Sequence, residues 1–185
     1  MSLPAVKSRA LLPDFCFARI EDIGAEWLTA RGIRGVLVDV DNTITRWELL
    51  EVPAGALAWL ESLHHAGIQT RLLSNGLAHK RRTVAQQTGV AEVGGPLFKP
   101  VPAFYRLGLS QMQLEARETI MVGDSVFTDI AGANRCGIWT ALVEPLGAVD
   151  FVGTKFYRML EATLNLRRPL HHGCDYRRAE TTGLE

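Results

Sequence analysis

The run Gly35-Val-Leu-Val-Asp-Val-Asp41 constrains the fold of this chain more than any other segment. It is apolar and β-branched until it meets two acids. A strand so uniformly apolar is buried on both faces, which is the situation inside a parallel sheet. Parallel strands need long crossovers, normally helices, and the flanking sequence provides them. A helix is expected over residues 53–66: Pro53 suits a first helical position and Gly67 the residue just past the end. Its Ala56, Trp59, Leu60 and Leu63 recur at the spacing of one helical face. Further strands are expected over residues 68–73, 119–123 and 138–143, and further helices over 78–87, 102–112, 128–135 and 154–166. This alternation predicts an α/β fold with a mainly parallel central sheet.

The length of 185 residues fits one domain, expected over residues 1–168, followed by a polar tail over 169–185. Hydrophobic residues make up 47% and charged residues 22%, enough apolar material for a core. Lys and Arg number 20, as do Asp and Glu, which argues against a protein that holds nucleic acid by bulk positive charge. No apolar run approaches the ~20 residues that cross a bilayer, and no secretory leader is expected. Cys16, Cys136 and Cys174 form neither a disulfide framework nor a CxxC pair, so a reducing, cytoplasmic compartment is expected.

The polar residues of interest fall where the expected strands end: Asp39 and Asp41, Ser74, and Asp124. Ligands of open α/β sheets bind outside those ends. In extended backbone, Asp39 and Asp41 point the same way. Two carboxylates at the end of a buried strand need a cation or hydrogen bonds to compensate them. Mg²⁺, which prefers carboxylate oxygen, would do so. One carboxylate could then attack phosphorus while its neighbour handles the proton; the plainer alternative is an acidic turn that caps the next element. Asp124 and Asp129, in Gly123-Asp-Ser-Val-Phe-Thr-Asp129, could complete a metal site or simply cap a helix. Lys99, before Pro100, could pair with the acids and with phosphate oxygens. Ser74 and Asn75 could bind a phosphoryl group or only form a turn.

Asp-x-Asp-x-Thr, then Ser, then Lys, then Gly-Asp-xxxx-Asp resembles the four motifs of the haloacid-dehalogenase (HAD) superfamily of phosphatases, from Gly35 to about Val143. Within it, Leu11-Leu-Pro-Asp14, Gly32-Ile-Arg-Gly35, Trp47, Thr128-Asp129 and Gly132-Ala-Asn-Arg-Cys-Gly137 look like the YqeG-type family, which includes phosphatidylglycerophosphatase relatives. Ser74-Asn75-Gly76 stands where members often carry Ser-Asn-Asn, leaving substrate contacts at residue 76 open. The resemblance implies a three-layer, Rossmann-like fold and an aspartyl-phosphate mechanism. It makes Asp39 the nucleophile and Asp41 the acid and base. It assigns Mg²⁺ to the Asp39 and Asp124 carboxylates and the Asp41 carbonyl, with Asp129 supporting the ion or Lys99. It gives Ser74 and Lys99 the phosphoryl oxygens; Thr43 and Asn75 complete the expected substrate contacts, Thr43 also being placed to fix the loop.

Residues 44–73 and 75–98 leave no space for a cap domain, so the site is expected to be open to large or surface-held phosphorylated substrates. Phosphatidylglycerophosphate is favoured by resemblance; a soluble sugar phosphate is the rival. A receiver-type phosphorylation switch fits the motif order poorly, and an inactive HAD-like scaffold fits poorly with a full set of side chains. Lys80-Arg-Arg82 could meet an anionic substrate or form a solvated helix face, the plainer reading. Residues 153–178 carry six basic and two acidic side chains. The expected helix there could touch an anionic membrane peripherally or pack on the sheet. His171, His172 and Cys174 could bind a soft metal.

Overall fold

The computed structural model describes residues 10–147. The helix expected over 154–166, the tail over 169–185, and His171, His172 and Cys174 lie outside the described residues.

Five strands form one sheet: β1 (Phe15–Phe17), β2 (Gly35–Val38), β3 (Gln69–Leu72), β4 (Thr119–Gly123) and β5 (Trp139–Val143). Their order is β1-β5-β4-β2-β3 and every pairing is parallel. The helices are α1 (Ala25–Thr29), α2 (Ala54–His65), α3 (Ala78–Thr88), α4 (Pro102–Met112) and α5 (Ala131–Asn134). β2 sits between β3 and β4, with Gly35 opposite both Gln69 and Thr119. All four of its residues are buried, as the apolar run predicts.

The pleat sends alternate residues of β2 into two cores. Val36 and Val38 join Ile120 and Val122 beneath Ala56, Trp59, Leu60 and Leu63 of α2. Leu37 joins Met121 beneath Phe104, Tyr105 and Met112 of α4. These are the three layers expected. The predicted face of α2 is the one that is buried, and Trp59 Nε1 donates to the Ile23 carbonyl at 2.8 Å. Gly67 follows α2 at φ 73°, a left-handed residue that ends the helix.

The structure departs from the sequence expectations in three places. The strand expected as far as Asp41 ends at Val38, although Asp39 N still donates to Val122 O at 2.9 Å. Beyond Asp39 the chain must turn away from the sheet to aim its acids. The helix expected over 128–135 is a wide π-type turn, Val126–Ile130, leading into the short α5. β1 and α1 are additional to the expected elements. β1 is three residues long and follows Pro13, too short for a periodic signal. It is fixed instead by Asp14, whose Oδ2 accepts from Thr140 N at 2.9 Å and Thr140 Oγ1 at 3.1 Å. Among the described residues no cap domain is present, and no helix is long and apolar enough to cross a membrane.

Candidate active site

The carboxyl ends of the three adjacent strands β3, β2 and β4 deliver Ser74, Asp39 and Asp124 to one place. These residues, with Asp41, Asn42, Trp47, Asn75, Gly76, Leu77, Lys99, Ser125 and Thr128, line an open cleft of about 130 Å³. A parallel sheet makes this unavoidable, because all its strands end on the same side.

The loop after β2 is a tight reversal. The Val40 carbonyl accepts from Thr43, Ile44 and Thr45 N–H groups at 3.1 to 3.4 Å. Asn42 takes φ 59°, a left-handed conformation that Asn tolerates. Its Oδ1 accepts from Trp47 N at 3.1 Å, which turns Trp47 onto the cleft wall.

Lys99 lies between two acids, hydrogen-bonded to Asp39 Oδ1 and, at 2.7 Å, to Asp129 Oδ1. The ammonium is 3% exposed. Burial alone would push Lys99 down, but Asp129 and Asp39 outweigh it and hold the group above its ordinary range. Burial raises Asp39, with Asp41 adding to the rise and Lys99 opposing it. Burial likewise lifts Asp129, against Lys99 and with Asp39, to about 6. Asp129 Oδ2 accepts from Ser125 N at 3.0 Å, and its carboxylate lies over Gly123, where any Cβ would overlap it. Asp129 is thus fully buried behind the cleft wall rather than on it.

Carboxylate oxygens of Asp39, Asp124 and Asp129 all come within 4.8 Å of one another. The three buried carboxylates form an all-oxygen donor set, and Lys99 meets two of them, Asp39 and Asp129. A hard divalent cation fits that donor set.

Asn75 lines the cleft, and both it and Thr43 also bond to other site residues. The Asn75 amide clamps the Lys99 backbone, donating to its carbonyl at 2.8 Å and accepting from its N–H at 2.7 Å. Thr43 is 1% exposed and does not line the cleft; its hydroxyl donates to Asp124 Oδ1 at 3.5 Å. Both therefore hold other site residues in place. Ser74 lines the cleft, and its hydroxyl donates to Asp41 Oδ2 at 3.4 Å.

The plainer reading of Lys80-Arg-Arg82 fails for two of its three members. Lys80 is buried, with Nζ 2.8 Å from Asp41 Oδ1 and 2.7 Å from the carbonyls of both Arg46 and Trp47. Arg81 is half-buried against Glu92 and the Gly76 carbonyl, and only Arg82 is exposed. The signal that could have found Lys80 is its spacing: it lies one helical turn before Val84, the other buried residue of α3.

A family description, haloacid dehalogenase-like hydrolase, matches residues 9–137. The chain belongs to that family. It is 28% identical over 150 residues to "Probable phosphatase YqeG" of Bacillus subtilis, covering 81% of this chain and 87% of that one. It is 30% identical over 180 residues to "Phosphatidylglycerophosphate phosphatase 1, chloroplastic/mitochondrial" of Arabidopsis thaliana, covering 91% of this chain and 51% of that one. The chain therefore spans about half the length of the Arabidopsis relative. One solved structure superposes with a TM-score of 0.55 at 15% identity, covering 74% of this chain and 84% of that one, which shows the fold alone. The resemblance carried by the motifs, to the HAD superfamily and to the YqeG type within it, is met by these relatives.

Proposed function

We propose that this family member is a Mg²⁺-dependent phosphomonoester phosphatase that works through an aspartyl-phosphate, with a phosphatidylglycerophosphate-like lipid as substrate. The observation that carries the reading is the convergence of Asp39, Asp41, Ser74 and Lys99 on one cleft, backed by the buried acids Asp124 and Asp129.

Asp39 is the nucleophile. Its Oδ1 is held by Lys99, which orients the carboxylate and favours its ionised, attacking form. Ser74 Oγ and Lys99 Nζ bind phosphoryl oxygens, with the Asn75 backbone N–H beside them. Asp41 gives a proton to the leaving oxygen and later takes one from the attacking water. Asp39, Asp124 and the Asp41 carbonyl would hold Mg²⁺, with Asp129 behind; the ion would neutralise charge on the phosphoryl oxygens. Every other part of the task is positioning, which the strand ends and the Asn75–Lys99 clamp supply.

Two features support a lipid. Among the described residues no cap closes the cleft, and an exposed apolar side chain, Leu77, 53% exposed, lines it; Phe98, 58% exposed, precedes Lys99 in the chain. The Arabidopsis relative carries that activity in its name. A substrate screen tests the reading, with phosphatidylglycerophosphate in mixed micelles beside soluble sugar phosphates, with and without Mg²⁺. Mg²⁺-dependent release of phosphate, fastest from the lipid, is the expected result. Faster turnover of a sugar phosphate overturns the substrate, and Mg²⁺-independent or absent turnover overturns the reaction.

A further inference from the structure

Lys80 breaks two local rules. It stands in the first turn of α3, at the positive end of the helix dipole, where a cation is unfavourable. It is also a buried ammonium, 3% exposed. It donates to the carbonyls of Arg46 and Trp47 at 2.7 Å each and lies 2.8 Å from Asp41 Oδ1 as an ion pair. The Trp47 ring centroid is 5.4 Å away. Lys80 does not line the cleft; it stands behind Asp41.

This arrangement makes the two oxygens of Asp41 unequal. Oδ1 is buried, and among the described residues its close polar neighbour is the Lys80 ammonium, in an ionic contact rather than an aligned hydrogen bond. Oδ2 lies beside Ser74 Oγ and over Gly76, both of which line the cleft. A side chain at residue 76 would overlap Oδ2, so Gly76 keeps that oxygen's place clear.

We propose that Lys80 is a positioning residue for proton transfer, pinning Asp41 Oδ1 so that the proton moves through Oδ2. The inference rests on the phosphatase reading above. In the first half-reaction an Asp39 oxygen bonds to phosphorus and the bond from phosphorus to the leaving oxygen breaks. The leaving oxygen keeps that electron pair and takes the proton from Asp41 Oδ2, giving an alcohol and the Asp41 carboxylate. In the second, Oδ2 takes a proton from water while the water oxygen bonds to phosphorus. The bond from phosphorus to Asp39 breaks, releasing phosphate and restoring the Asp39 carboxylate. Protonation of Oδ2 leaves Oδ1 facing the Lys80 ammonium throughout, so one ionic contact serves both halves.

The leaving group provides the test. p-Nitrophenolate departs without a proton, whereas the alkoxide of glycerol phosphate needs one. kcat/KM is measured on both esters for wild type, Asp39→Asn, Lys80→Met and Lys80→Gln. Lys80→Met should lower kcat/KM on glycerol phosphate by about 100-fold, and on p-nitrophenyl phosphate by less than about 10-fold. Lys80→Gln, which keeps donors for the two carbonyls, should shift the ratio the same way and serves if Lys80→Met does not fold. Equal losses on both esters mean a merely structural role and overturn the proposal. Absent wild-type turnover, or an active Asp39→Asn, overturns the phosphatase reading itself and the proposal with it.

Discussion

Asp39 is placed where its chemistry opposes its stability. Burial raises it first, and Lys99 only partly offsets that, so the native fold bears the strain of an ionised carboxylate there. Replacing it with a neutral group of the same shape relieves the strain and removes the nucleophile. Asp39→Asn should therefore lose at least about 10³-fold in turnover while melting no lower than wild type. A phosphatase assay and a thermal melt on the same preparation decide it; a lower melting temperature would show that the Lys99 pair outweighs desolvation. Gly76 gives a second residue-scale prediction. A methyl group there overlaps the Asp41 carboxylate, and an ångström of misplacement costs about 10²-fold in rate. Gly76→Ala should reduce kcat on a scale of ten- to a hundredfold at nearly unchanged stability. Wild-type kcat in that variant would mean that Asp41 has room to move without loss.

At the scale of elements, the turn between β4 and α5 is the part least visible in the sequence and most exposed to a mutational test. Its wide form carries Asp129 back under Gly123, so that Asp129 Oδ2 meets Ser125 N. α4 secures the far side of the turn: the buried Tyr105 hydroxyl donates to the Thr128 carbonyl and packs on Gly132. Burial, with Asp129 and Asp39 behind it, pushes Tyr105 up, so the phenol stays a donor. Tyr105→Phe should cost about 1–3 kcal/mol by leaving that carbonyl short of a partner. It should also lower activity, because Thr128 lines the cleft; unfolding in denaturant and the phosphatase assay read the two effects. Elements with a strong period or a clear stop, such as α2 with its stripe and Gly67, were legible in the sequence. So were the strand-end acids, because a charge that closes a buried apolar run needs a compensating partner. β1 was not, because a three-residue edge strand takes its place from Asp14 and Thr140, which are 126 residues apart in sequence. Lys80 was not either, because a lysine beside two arginines reads as surface until its partner Asp41 is brought against it.

Over the whole molecule the charges balance at 20 of each sign, yet the fold gathers Asp39, Asp124 and Asp129 together, with Lys99 against two of them. That imbalance has a consequence for how stability varies with pH. Burial first, with Asp39 adding and Lys99 opposing, lifts Asp129 from an ordinary 3.8 to about 6. The native state therefore holds this proton more tightly than the unfolded chain does. Where the native state binds more protons, stability falls as pH rises. The metal-free protein should thus lose stability as pH climbs through the window from about 4 to about 6. A divalent cation binds the deprotonated carboxylates and competes with the proton. Mg²⁺ should therefore raise the melting temperature little at pH 4.5 and clearly at pH 7.5. At a hundred times its dissociation constant it contributes about 2.7 kcal/mol. Thermal melts at both pH values, with Mg²⁺ and with EDTA, measure this directly. An equal shift at both would place the ion away from the buried carboxylates. No shift at either would mean that the ion does not bind among these carboxylates.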